Sequence, residues 1–91
     1  MNYKIIRTDE YFKKLKKFIK KHPEFLDRYI KTIKLLEVDL YHPSLRLHKL
    51  KGQLKEYESV SITMKYRVVI DFIIQENEII PIDIRTHDEV Y

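Results

Sequence analysis

The sequence predicts an α+β fold of order β-α-α-β-β-β, a helical hairpin packed on a twisted antiparallel sheet, in one domain covering residues 1–91. Three observations carry this. Apolar residues recur at helical spacing between residues 11 and 40, and three runs of strand character fill residues 54–84. Between them lie the loop signal His42-Pro43-Ser44 and the single glycine of the chain, Gly52.

Each element has a local cause. Residues 2–7 roughly alternate and hold Tyr3, Ile5 and Ile6, which predicts a short first strand. Thr8 is suited to cap a helix whose first turn carries Asp9 and Glu10, where acidic groups meet the positive helix end. Tyr11, Leu15, Phe18 and Ile19 then form an apolar stripe with Phe12 beside it, while Lys13, Lys14, Lys16, Lys17, Lys20 and Lys21 fill the other face. His22-Pro23 interrupts this helix, because the residue before a proline avoids helical backbone and proline suits a first helical turn. A second helix follows with the stripe Phe25, Leu26, Tyr29, Ile30, Ile33, Leu36 and Leu40.

Past the second helix, Leu45, Leu47 and Leu50 are interleaved with Arg46, His48 and Lys49 in a basic segment closed by Gly52, expected at positive φ. Three strands are expected at 54–62, 66–74 and 79–84, with a loose turn at Thr63-Met64-Lys65 and a tight one at residues 75–78. Arg67 stands in an otherwise apolar strand, so it must point into a polar cleft or meet a carboxylate such as Asp71.

Composition narrows the function. A chain that is 44% hydrophobic can build a core, which excludes wholesale disorder. There is no cysteine, so disulfides and thiolate metal sites are excluded and a reducing cytoplasm fits. No apolar run approaches a membrane span, and the first residues do not read as a signal peptide, so no membrane partner is expected. The four histidines lack metal-ligand spacing such as H-x₃-H, and no metal or other cofactor is expected; His22 and His42, each beside a proline, read as loop residues. Charge is uneven: residues 1–70 hold 17 Lys and Arg against 8 Asp and Glu, a net of +9, while residues 71–91 net −5. Such a basic portion fits a polyanionic partner, nucleic acid being the usual one.

The chain closes on Arg85-Thr86-His87-Asp88-Glu89-Val90-Tyr91. Arginine can neutralise a phosphate bidentately, histidine can move a proton near neutral pH, and tyrosine can stack on a base. Asp88 beside His87 favours the imidazolium, which suits a proton donor.

Three segments in order resemble the RelE/ParE superfamily of bacterial type II toxins, most closely its RelE and YafQ-like ribonuclease branch. They are Leu47-His48-Lys49-Leu50-Lys51-Gly52, Tyr66-Arg67-Val68-Val69 and the closing Arg85 to Tyr91, and the resemblance spans essentially the whole chain. It implies the RelE-like microbial RNase fold and a toxin that cuts mRNA on the ribosome, without a metal, until a cognate antitoxin silences it. It further implies that His87 handles the leaving-group proton, that Arg85 and Arg67 stabilise the scissile phosphate, that Tyr91 stacks on or orients the nucleotide, and that His48 is a candidate proton acceptor.

Where YafQ-like members carry a second histidine and an aspartate before the central strand, this chain has Ser61 and Lys65; where RelE has paired lysines, the nearest register gives Glu58 and Val60. The general base is thus open among His48, Lys65, Lys51 and Lys49. Arg46, Lys49, Lys51 and Lys65 are candidate RNA contacts, and Lys13, Lys16 and Lys17 of the first helix are candidate contacts to ribosomal RNA backbone. The alternatives are a ParE-type inhibitor of DNA gyrase and a decayed toxin that only binds its partner.

Overall fold

The computed structural model describes residues 2–73 and 76–90. In chain order these are β1 (Lys4–Ile5), α1 (Asp9–Lys21), α2 (Leu26–Val38), β2 (His48–Lys49), β3 (Glu58–Ser61), β4 (Tyr66–Ile73), β5 (Glu78–Thr86) and α3 (His87–Val90), with single 3₁₀ turns at Pro23–Phe25, Pro43–Leu45 and Gly52–Leu54. The helical hairpin and the α+β class are as expected.

The sheet departs from expectation in three ways. It has five strands in the order β1-β5-β4-β3-β2, because His48–Lys49 pairs with Glu58 and Ser59 as an extra edge strand. It is mixed rather than antiparallel: β1 runs parallel to β5, with Lys4 opposite Glu78 and Ile5 opposite Ile79. The expected strand at 54–62 shrinks to Glu58–Ser61, because Leu54 and Tyr57 pack against Leu50 and Val69 instead of extending the ladder.

Helix α1 starts where the sequence places it, with the Thr8 hydroxyl accepting from the Tyr11 amide at 3.2 Å. Both helices cover one face of the sheet. Tyr11, Tyr29, Ile33 and Leu36 meet Val60, Val68, Ile70 and Ile79 in the main core, which Leu40 and Leu45 complete from the loop after α2. The small second cluster of Leu50 and Val69 lies on the other side, as the period of two along β4 requires. A bulge between Val69 and Ile70 leaves Ile82 as the extra residue on β5, next to the buried Pro81, which has no amide to lend the ladder. Gly52 and Asn77 take positive φ at 67° and 52°, and the Thr63 hydroxyl accepts from the amides of Lys65 and Tyr66 to close the turn before β4.

The hairpin is pinned by the Tyr11 and Tyr29 hydroxyls, 2.9 Å apart inside the core. Burial, first of all, pushes both phenols above their ordinary range, so the pair stays neutral. Tyr11→Phe strands the Tyr29 hydroxyl and is expected to cost about 1–3 kcal/mol in urea unfolding. The Tyr11→Phe/Tyr29→Phe double variant, with no orphan left, should cost less than the sum of the two single changes.

Candidate active site

The side of the sheet away from the helices gathers the polar residues of the three motifs. Arg67 and Arg85 are directly opposed across β4 and β5, and Ser61 stands opposite Arg67 on β3. One step along lies the row His48, Ser59, Val69, Asp83, each opposite the next on the adjacent strand. Directly opposed residues share a face, so two arginines, one histidine, two serines and one aspartate converge there.

Arg67 is only 3% exposed. Its Nε donates to the Ser59 hydroxyl at 2.7 Å, and its Nη2 donates to the carbonyls of Ser59 and Arg46. Arg85 is tethered through Nε to Asp83 Oδ2 at 2.7 Å and keeps 38% of its side chain exposed. Asp83 in turn lies 3.9 Å from the Lys14 ammonium on α1.

Arg46 holds this arrangement together. Its backbone is left-handed, with φ 49° and ψ 50°, a conformation a non-glycine residue keeps only when its surroundings fix it. The turn aims its carbonyl at Arg67 Nη2 and at His48 Nδ1, the latter at 2.7 Å. A carbonyl can only accept, so His48 carries a proton on Nδ1, and Nε2 is the acceptor nitrogen of the neutral ring. The geometry therefore suits His48 Nε2 for proton abstraction. The Arg46 guanidinium meanwhile contacts Met64 Sδ at 3.2 Å.

Met64 leads to His87. A cavity of about 390 Å³ is lined by Met64, Lys65, Thr86, His87 and Asp88. His87 opens α3, its amide donating to the Lys65 carbonyl at 2.6 Å and its Nδ1 lying 3.8 Å from Asp88 Oδ1. Beyond Thr86 the polar end is thus a helical turn. Thr86 and Glu89 form it reciprocally: the Thr86 hydroxyl accepts from the Glu89 amide, and Glu89 Oε1 accepts from the Thr86 amide at 2.9 Å. The same hydrogen bonds hold the Glu89 carboxyl below its ordinary range.

The box sets where His87 stands, so Thr86→Ala should cost about 1 kcal/mol of local stability and blur the His87 imidazole position in NMR spectra. Glu89→Gln, which still accepts, should preserve that position, and Glu89→Ala should not. Because the folded carboxyl is depressed, its contribution is present above the ordinary carboxylate range and lost as pH falls through the lowered value.

The other candidates divide. Lys49 and Lys51 are exposed on the edge beside His48, and Lys65 lines the His87 cavity. Lys13 and Lys16 are exposed on α1, in the helical layer rather than among the opposed arginines, and Lys17 lines a separate groove. Tyr91 lies outside the described residues. Sequence reasoning missed Ser59 and the Arg46 carbonyl; Thr86-x-x-Glu89 was a legible capping signal. Among the described residues no group of three or more His, Cys, Asp or Glu is placed to hold a metal ion, and no helix is long and apolar enough to cross a membrane.

No family model and no curated protein matches this chain. Solved structures do match. YafQ from Escherichia coli strain BL21(DE3) superposes with a TM-score of 0.75 at 12% identity, 98% of each chain being covered. The conserved hypothetical protein HP0894 from Helicobacter pylori gives 0.73 at 20% identity, with both chains covered completely. The YoeB–YefM toxin–antitoxin heterotetramer from Staphylococcus aureus gives 0.69 at 19% identity, covering 96% of this chain and 99% of that one. The chain has the fold of these proteins over its full length.

Proposed function

We propose that this chain is the toxin of a type II toxin–antitoxin pair, a RelE/YafQ-like ribonuclease that cuts mRNA on the ribosome. The observation that supports it most is the opposed Arg67 and Arg85 pair beside a histidine of fixed tautomer, with His87 just beyond the strand end.

In this reading His48 Nε2 takes the proton of a ribose 2′-hydroxyl, whose oxygen attacks the adjacent phosphorus. His87 in its protonated form delivers a proton to the departing 5′-oxygen, leaving a 2′,3′-cyclic phosphate and a 5′-hydroxyl. Arg85 faces the charge that builds on the phosphorane, and buried Arg67 supplies positive field from behind while holding the Arg46 carbonyl. Lys49, Lys51, Lys65 and Arg46 hold flanking phosphates, and Tyr91 orients the nucleotide. Lys13 and Lys16 meet ribosomal RNA backbone, while Lys17 faces RNA from the groove it lines. The partner that silences the chain is an antitoxin, as YefM is for YoeB in the Staphylococcus aureus complex.

The test is primer-extension mapping of a defined mRNA on programmed ribosomes, beside free RNA and a gyrase supercoiling assay. A discrete cut that requires the ribosome is expected. Gyrase inhibition without a cut would assign the fold to the ParE-type activity instead.

A further inference from the structure

We infer that the groove between α1 and the end of β5 is a track for single-stranded RNA flanking the cleaved phosphate, an inference that rests on the nuclease reading of the site. The groove measures about 800 Å³ and is lined by Lys14, Lys17, Lys20 and Lys21 above a floor that includes Phe18, His22 and Tyr66.

The rings form one cluster. His22 and Tyr66 have centroids 5.0 Å apart, with the Tyr66 hydroxyl 3.2 Å from His22 Nε2, and Phe18 lies edge-on to Tyr66 at 5.0 Å. His22 is therefore more than the loop residue its proline neighbour suggested. A row of ammonium groups over half-buried rings matches a strand that alternates phosphates with flat bases. An acidic peptide would use the lysines and leave the rings without a purpose. Asp83 is the carboxylate among the lining residues, and it is engaged by Arg85 and Lys14.

The groove also runs toward His87. Thr86 lines both this groove and the smaller His87 cavity. Lys65, from the smaller cavity, places its ammonium 5.6 Å from the centroid of the Tyr66 ring. A strand leaving His87 would thus meet Lys65 and then Tyr66 before the lysines of α1.

The probe is a fluorescent 2′-O-methyl oligouridine of about twelve nucleotides, which offers no 2′-hydroxyl and so reports binding apart from cutting. The Lys17→Ala/Lys20→Ala/Lys21→Ala variant is expected to bind it at least tenfold more weakly at low salt. The slope of log affinity against log salt should fall by about 2, since each phosphate contact to a single strand contributes about 0.7. The control removes three exposed lysines outside the groove, Lys31, Lys34 and Lys55. An equal loss in the control, or none in the groove variant, overturns the assignment. A glutamate-rich peptide that binds through the same three lysines while the oligonucleotide ignores them overturns it too and assigns the groove to an acidic protein. Failure of ribosomal cleavage with groove binding intact would sink the nuclease reading and leave the track standing.

Discussion

His87→Ala is expected to slow RNA cleavage on the ribosome by at least about 10²-fold, the loss typical of a missing proton donor. The chain should still fold, because the His87 side chain is 52% exposed and α3 is held by the backbone and by Thr86 and Glu89. A substrate with a better leaving group than a ribose 5′-oxygen should recover much of the lost rate, since it needs no proton. Cleavage at full rate with the histidine gone would remove it from the chemistry and return the role to Lys65, which lines the same cavity.

Arg67→Ala is expected to damage both the fold and the activity. The side chain is buried and bridges the Ser59 hydroxyl and the carbonyls of Ser59 and Arg46, so truncation opens a cavity and strands oxygens, at a cost of about 2–4 kcal/mol. Urea unfolding measures that part. Activity should fall further than stability explains, because the carbonyl released is the one that orients His48. The discriminating variant is Arg67→Lys, which keeps the charge but has no planar fork to span Ser59 and Arg46. It should stay impaired, and its defect should overlap with that of His48→Ala in a double-mutant cycle. Full activity with lysine would mean that charge alone suffices and that the fork only packs.

The helices were the most legible part of the chain because each obeys one local rule. Thr8 caps, the lysines of α1 mark its wet face, and Pro23 separates the pair. The sheet was harder, because its misread portions depend on distant partners. His48–Lys49 is too short to show a period and becomes a strand only by pairing with Glu58 and Ser59. Leu54 continues the alternation of β3 in sequence, yet it and Tyr57 serve to cover Val69 on the site face. The parallel edge escapes any local pattern, since Lys4 and Glu78 meet only after the chain has crossed the whole sheet.

At the site, the register brings His48, Arg67 and Arg85 onto one face, while the elements that aim them had no side-chain signature. A carbonyl turned by a left-handed arginine is invisible in a list of side chains. The groove over Tyr66 was hidden for a different reason: its lysines come from α1 and its strand residues from β4 and β5, more than forty positions away.

The parallel pairing of β1 with β5 bears on how the protein is born. Strand β5 lies between β1 and β4, so the earliest strand to leave the ribosome waits for the latest before it has a partner. Arg85 belongs to that final strand and His87 follows it, which means the sheet closes and the reactive groups appear in the same late event. Nascent chains stopped short of residue 78 can form the helical hairpin but have no strand on which to lay β1. Pairings of such long range slow folding and delay it until synthesis is nearly done. In the nuclease reading, a molecule built this way has no half-made active form.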